Sequence, residues 1–124
     1  MVPGLGVDIV ELEQMKDILS RSGEIFISRV YGPQERIYSH GLEDPTAYYA
    51  SSFAAKEALF KALVLDWEEG IDLRDIETLR GTSGEPRICL HGPAAEAARR
   101  KGFTHFQISI SYGMSCALAT VIAL

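Results

Sequence analysis

Two charged residues, Glu57 and Lys61, lie four positions apart in the segment from Ser52 to Leu63, which is otherwise largely apolar. The abundance of alanine and leucine predicts a helix, and residues four positions apart share one helix face. Asp8 is a third candidate, because it is an acid within an alternating apolar run near the start of the chain. A cation such as Mg²⁺ takes one or two carboxylates together with water and phosphate oxygens, and a lysine binds phosphate as a point charge. The three side chains therefore predict a site of the phosphoryl-transfer type, with Asp8 and Glu57 as metal ligands.

Each of these residues also has a purely structural explanation. A glutamate four positions before a lysine forms a favourable ion pair on a helix surface, worth about 0.2–0.5 kcal/mol. Asp8 precedes a predicted helix and would be a suitable N-cap. Taken singly, these explanations are the more common ones, but the occurrence of all three residues together favours a site for metal and phosphate.

Capping and turn residues indicate the elements that would position these side chains. Asp8 falls in a first strand, and Glu57 and Lys61 fall in a long helix that begins at Asp44-Pro45. Helices and strands are mixed without regular βαβ alternation, so we expect one α+β domain with a mostly antiparallel sheet and a long packed helix. The expected strands cover residues 1–11, 76–79, 87–90, 106–111 and 115–124. The expected helices cover 11–19, 33–40, 45–65 and 94–101, with an interruption at Ser22-Gly23 and helical turns over 25–30. All of these elements belong to a single expected domain over 1–124.

A helical projection of the long helix has two apolar arcs. A helix with two apolar faces packs against two bodies, so we expect one arc to face its own sheet and the other to face a neighbouring subunit. Glu57 and Lys61 lie beside the second arc, at the rim of that expected contact. The first arc contains Tyr48, Ala55, Leu59, Ala62 and Leu63, and the second contains Tyr49, Phe53, Phe60 and Val64.

Composition limits the possible functions. The 124 residues are 47% hydrophobic and 23% charged, and the net charge of -5 argues against nucleic acid as the main partner. The two cysteines, Cys89 and Cys116, form neither a disulfide framework nor a zinc motif and are expected to be buried free thiols. We expect no secretory leader, because no apolar h-region opens the sequence, and the apolar run over 116–124 is too short to span a bilayer as a helix. We therefore expect a cytoplasmic, soluble protein.

Four motifs resemble one known family. The segments GLGVDIVE (Gly4–Glu11) and FAAKEA (Phe53–Ala58), the latter followed by Lys61, are similar to the opening strand and central helix of holo-acyl-carrier-protein synthases. Gly84-Glu85-Pro86 and Ser109-Ile110-Ser111 match in kind and order. Each motif is short, but four in the expected order cover essentially the whole chain.

The resemblance implies a 4'-phosphopantetheinyl transferase, which moves the phosphopantetheine arm of coenzyme A to a serine of an acyl carrier protein and releases adenosine 3',5'-bisphosphate. By the resemblance, Asp8 and Glu57 would bind Mg²⁺ at the coenzyme A diphosphate. Glu57 would also help to deprotonate the serine, directly or through a metal-bound water, and Lys61 would stabilise the diphosphate and assist the leaving group. Small members of the family are homotrimers with active sites between subunits. The implied contacts to coenzyme A are Lys61, Ser52, Gly84, Pro86, Ser111 and Tyr112, and the candidate docking residues for the carrier protein are Gln14, Arg21 and Arg29.

The chain departs from the family pattern at the coenzyme A end. Tyr112 stands where the family usually has a histidine, and Ser52 stands where it often has an arginine, so two positive charges are missing. Arg87 is a candidate to compensate. The first helix is also close to neutral where the family presents basic residues to the acidic carrier. An active transferase therefore has two alternatives. One is a non-catalytic homologue that binds coenzyme A or carrier protein, and the other is a metal-binding structural trimer.

Overall fold

Five strands and four α-helices build the fold in the computed structural model, which describes residues 2–124. The strands form a three-stranded antiparallel sheet in the order β1-β5-β4 and a separate antiparallel hairpin of β2 and β3. The predicted α+β class with antiparallel pairing is therefore confirmed. The elements are β1 (Gly4–Glu11), α1 (Leu12–Val30), α2 (Pro33–His40), α3 (Thr46–Ala62), β2 (Ile76–Arg80), β3 (Pro86–Leu90), α4 (Gly92–Arg100), β4 (Phe106–Tyr112) and β5 (Cys116–Ala123).

Several element boundaries differ from the sequence prediction. The expected interruption at Ser22-Gly23 is a kink within α1, where Ser22 has φ -138° and ψ 28°. The helix α3 ends at Ala62 instead of about Leu65, because Val64 has a φ of 51° in the left-handed region, which no α-helix continues. Two short 3-10 turns, Trp67–Glu69 and Leu73–Asp75, were not predicted. Met1, the first residue of the expected opening strand, lies outside the described residues.

The helix α3 is surrounded by its own chain. Ala54, Ala55, Ala58 and Leu59 have no exposed surface and pack with the inner faces of β4 and β5. The second apolar arc is also covered within the chain, since Tyr49 is 3% and Phe60 is 9% exposed. The expectation that a neighbouring subunit would cover this arc is therefore wrong for its central residues, because α1 and the 3-10 turns already cover it.

An uncovered row of apolar side chains lies on the outer face of the three-stranded sheet. Leu5, Val7 and Ile9 alternate with inward-facing residues of β1 and are 68%, 50% and 59% exposed. On the neighbouring strand, Ile122 is the partner of Leu5, and it is 37% exposed. We call these four residues the outer sheet face. Exposed apolar side chains in a contiguous row are typical of an interaction surface.

The cysteines and the apolar character of the helices can also be compared with the structure. Cys89 and Cys116 are free, as expected, although both are only partly buried. Among residues 2–124, no helix combines the length and the apolar character that crossing a membrane requires.

Candidate active site

Asp8 and Lys61 form an ion pair between β1 and α3. The Lys61 Nζ lies 3.1 Å from Asp8 Oδ1 and also donates to the carbonyl oxygen of Val7 at 3.1 Å. The carboxylate is the less exposed partner, with 20% of its side chain exposed against 54% for the lysine. Asp8 does not cap the next helix, since the N-cap residue of α1 is Glu11. The structural explanation that sequence favoured for Asp8 alone is therefore wrong.

Glu57 lies beside this pair and is partly buried. Burial raises the pKa of the Glu57 carboxyl, the negative charge of Asp8 raises it further, and Lys61 opposes both effects. In the described part of the chain, Lys61 pairs with Asp8 and not with Glu57. The three side chains predicted from sequence are thus close enough to influence one another, but not as a simple i,i+4 surface pair.

Two glycines of β1 allow this close approach. A Cβ atom on Gly6 would overlap the carbonyl oxygen of Ala58, and one on Gly4 would overlap that of Ala62. The strand and the helix backbone therefore contact each other directly, without intervening side chains. Asp8 is two residues beyond Gly6 on the same strand face, so its carboxylate reaches the helix surface that carries Glu57 and Lys61.

The donor set fits Mg²⁺ better than a transition metal. Two carboxylates share one lysine, so the cluster carries one uncompensated negative charge. Burial is the main cause of the raised pKa of Glu57, and repulsion from Asp8 adds to it. No group of three histidine, cysteine or acidic side chains suited to a metal occurs in residues 2–124. A cation held here would keep water or substrate oxygens as its remaining ligands, which is how Mg²⁺ is usually bound.

A narrow apolar cavity of about 240 Å³ adjoins Asp8. Gln14 of α1, one of the predicted docking residues, lines it together with aromatic and aliphatic side chains of α1 and α3. The other two predicted docking residues lie elsewhere. Arg21 is exposed and paired with Asp17 on α1, and Arg29 lines an open groove beside Trp67.

A second cavity, of about 300 Å³, is lined by two of the predicted coenzyme A ligands, Gly84 and Tyr112. Pro86 lines a different groove, beside Arg87 and His105. Ser111 is exposed on β4 and lines neither space. We call the second cavity the tyrosine cavity, and its lining comprises Tyr38, Leu42, Asp44, Ala47, Tyr48, Ser51, Arg80, Gly84 and Tyr112.

Ser52 lies in the interior instead of on a ligand-accessible surface. It is 0% exposed, and its hydroxyl donates to Glu35. The same carboxylate receives the Lys56 ammonium at 2.5 Å and the backbone N–H of Thr78 at 2.9 Å. This burial argues against the predicted contact between Ser52 and coenzyme A. Glu35 was not identified from the sequence, because its side-chain partners Ser52 and Lys56 are 17 and 21 residues away along the chain.

Comparisons with known proteins show the family and the fold of this chain. The chain matches the sequence model of the 4'-phosphopantetheinyl transferase superfamily over residues 4–112. It is 38% identical to the holo-[acyl-carrier-protein] synthase of Solidesulfovibrio magneticus over 98% of both chains, and 40% identical to that of Desulfovibrio desulfuricans over 98% of this chain and 97% of the relative. The crystal structure of the Neisseria meningitidis synthase superposes with a TM-score of 0.89 at 27% identity, covering 98% of this chain and 97% of that one. The Helicobacter pylori synthase, solved in complex with coenzyme A, gives a TM-score of 0.83 at 27% identity, covering 97% of this chain and 99% of that one. The chain belongs to the 4'-phosphopantetheinyl transferase superfamily.

Proposed function

We propose that this protein transfers the 4'-phosphopantetheine group of coenzyme A to a serine of an apo acyl carrier protein and releases adenosine 3',5'-bisphosphate. The observation that carries the proposal is the convergence of Asp8, Glu57 and Lys61 on an accessible surface of α3. Relatives that are 35–40% identical over nearly the whole chain are named holo-[acyl-carrier-protein] synthases, which supports the same reaction here.

The three side chains have distinct roles in the proposed reaction. Asp8 and Glu57 would hold Mg²⁺, which neutralises charge on the coenzyme A diphosphate when it is bound. Lys61 binds the diphosphate and stabilises the charge that develops on the leaving adenosine bisphosphate. The serine oxygen forms a new bond to the phosphorus that carries pantetheine, the bond from that phosphorus to the leaving phosphate breaks, and Glu57 accepts the serine proton.

The carrier protein is proposed to approach along α1. Gln14 supports this approach, because it lines the cavity that adjoins Asp8 and would lie beside the incoming serine. Arg21 would first have to leave Asp17 before it could bind an acidic carrier. Arg29 is more than four helical turns from Gln14 along a kinked helix, so it would contact a more distant part of the partner.

We also propose that the active site is completed by a second copy of the chain within a homotrimer. Tyr48 of the tyrosine cavity and Glu57 are nine positions apart on α3, which places them about half a turn apart around its axis at roughly 100° per residue. A single copy therefore presents the tyrosine cavity and Glu57 on opposite sides of α3, and in the proposed trimer coenzyme A extends from the cavity of one copy to the carboxylates of the next. The exposed outer sheet face provides an apolar surface on which another copy could pack.

Two experiments test the proposal. Mass spectrometry of an apo carrier protein incubated with coenzyme A and Mg²⁺ should show the mass gain of one phosphopantetheine, and a chelator should prevent it. No mass gain with any carrier tried would contradict the transferase assignment. Light scattering after size exclusion should give a trimer for the wild type and smaller species for Val7→Glu, because the substitution places a charge in the outer sheet face. Wild-type monomers would contradict the shared site.

A second candidate function, binding without catalysis, is favoured by one observation. The two cations of the family pattern near coenzyme A are replaced by side chains that carry no positive charge, Ser52, which is buried, and Tyr112, which is 63% exposed. Calorimetry separates the candidates. Coenzyme A binding without transfer would support a binding protein, and transfer would exclude it.

A further inference from the structure

The tyrosine cavity contains a hydroxyl without a hydrogen-bond partner and a cation without an ion pair among the residues that the structure describes. Ser51 is 0% exposed, and its Oγ has no hydrogen-bond partner among the described residues. Arg80 forms no ion pair with any residue of the described range 2–124, although it is partly buried. A buried hydroxyl without a partner is unusual and costs about 1–3 kcal/mol. Both groups therefore point to a ligand that the cavity is built to hold.

The cation in this cavity is well oriented. The Arg80 guanidinium lies over the ring of Tyr48, with its central carbon 5.9 Å from the ring centroid. A stacked guanidinium keeps its N–H donors free at the edges, where they match the oxygens of a phosphate. Arg80 ends β2 and pairs in register with Pro86, so the hairpin determines its position. The turn that follows contains Gly84, with φ 83°, and this glycine forms part of the cavity wall.

The acid in the cavity lining does not compensate Arg80. The Oδ1 of Asp44 accepts the backbone N–H of Thr46 at 3.0 Å and the hydroxyl of Thr46 at 2.7 Å. These bonds tie Asp44 to the N-terminal end of α3, where the helix dipole favours a negative charge. The other side chains that line the cavity belong to tyrosines, alanine, leucine and serine. The cavity thus combines aromatic walls, a cation without an ion pair among residues 2–124 and the buried Ser51 hydroxyl without a hydrogen-bond partner there.

We infer that Arg80 binds the 3'-phosphate of coenzyme A, with Tyr48 supporting the guanidinium and the Ser51 hydroxyl as an additional partner. The inference rests on the proposed transferase function. It explains how a chain with Ser52 and Tyr112 in place of an arginine and a histidine can still hold a charged nucleotide. Arg87, the compensating residue suggested by sequence, lines a separate groove without Gly84 or Tyr112.

The test compares coenzyme A with 3'-dephospho-coenzyme A as substrates, at saturating carrier protein and Mg²⁺. For Arg80→Gln we expect the KM for coenzyme A to rise about 10- to 100-fold, as for the loss of a charge-assisted bond. The KM for 3'-dephospho-coenzyme A should change less than about twofold, because that substrate lacks the group that Arg80 binds. Arg80→Lys should recover part of the difference. Arg99→Gln, an exposed arginine of α4, is the matched control and should leave both constants unchanged.

Several results would overturn the inference. An equal rise in KM for both substrates in Arg80→Gln would mean that Arg80 acts through the fold or at another group of coenzyme A. A rise in KM for coenzyme A alone in Arg87→Gln, and not in Arg80→Gln, would assign the 3'-phosphate to the groove that Arg87 lines. Calorimetry with adenosine 3',5'-bisphosphate separates this inference from the proposed function. If the wild type binds it, Arg80→Gln does not and neither variant transfers, then the phosphate site stands and the transferase assignment fails. If the wild type instead transfers from coenzyme A and from 3'-dephospho-coenzyme A equally well, the transferase assignment stands and the phosphate site fails.

Discussion

Two neighbouring residues of α3, Lys56 and Glu57, belong to charged clusters of opposite character. Lys56 is 0% exposed, and its ammonium donates to Glu35 and to the carbonyl oxygens of Leu73 and Ile76. All three donors of the ammonium are therefore used. We call this the closed cluster. Its partner Glu35 is also 0% exposed and receives further donors from the backbone and Ser52.

The open cluster of Asp8, Glu57 and Lys61 differs from the closed cluster in exposure and in charge balance. Its ion pair is partly exposed, and its two carboxylates share one cation. Charge within an apolar helix is therefore not sufficient to identify a functional site. A closed cluster whose donors and acceptors are all matched joins elements of the fold, whereas a cluster with unmatched charge can accept a ligand. This difference predicts that substitutions in the closed cluster reduce stability and those in the open cluster reduce activity.

The largest loss of stability is expected for Lys56→Met. Removing the ammonium leaves the Glu35 carboxylate buried without a counter-charge, which costs about 3–5 kcal/mol. Urea unfolding followed by circular dichroism measures the change. The double variant Glu35→Gln/Lys56→Met should recover part of the loss, because no buried charge remains. A loss below about 1 kcal/mol for Lys56→Met would contradict the description of this cluster as structural.

An intermediate loss is expected for Gly6→Ala. The added methyl group would overlap the Ala58 carbonyl, so α3 must move away from β1, at a cost of about 1–3 kcal/mol. Because Asp8 is on the strand and Glu57 on the helix, the movement should also weaken Mn²⁺ binding, used as a spectroscopic probe for Mg²⁺ in an electron paramagnetic resonance titration. Gly23→Ala is the control, since a Cβ at Gly23 meets no atom within 4 Å. Unchanged unfolding and metal binding in Gly6→Ala would show that the close contact is not required.

A small loss of stability with a large loss of activity is expected for Lys61→Met. The pair with Asp8 is exposed, so its removal should cost at most about 1 kcal/mol. The transfer rate should fall about 100-fold or more, because the leaving diphosphate loses a cation. Lys101→Met is the matched control, as this exposed lysine also donates to a backbone carbonyl. An equal loss of transfer rate in Lys61→Met and Lys101→Met would contradict a specific role of Lys61 in the reaction.

No loss of stability is expected for Glu57→Gln, although transfer should fall at least about 100-fold. The raised pKa means that the folded protein holds this proton at a higher pH than the unfolded chain. Stability therefore falls as pH rises above the usual glutamate value, and glutamine removes that dependence. At pH 7 the unfolding free energy should equal or exceed that of the wild type. Glu96→Gln on α4 controls for a generic charge change, and near-full activity of Glu57→Gln would disprove the metal assignment.

The sequence was sufficient for features that depend on local pattern. The strand around Asp8, the helix around Glu57 and the hairpin that contains Gly84 were all predicted, because alternation, helix propensity and turn residues act over a few positions. The identity of the partner that covers α3 could not be predicted in this way. The apolar arc with Tyr49 was assigned to another subunit, because a helical projection shows which side chains share a face and not what packs on it.

The sequence by itself was sufficient to predict that Asp8, Glu57 and Lys61 belong to one site. It also determined which family the chain resembles, since short motifs in order carry that information. Only the tertiary structure decided which charges are satisfied. Lys56 and Glu57 are adjacent in one motif, yet Lys56 meets Glu35 in the interior while Glu57 remains beside Asp8 at the surface. The role proposed for Arg80 likewise depends on the tertiary structure, which places it in one cavity with Ser51 and without an ion pair among residues 2–124. The reason is physical: burial and hydrogen bonding depend on partners that are distant along the chain and adjacent only after folding.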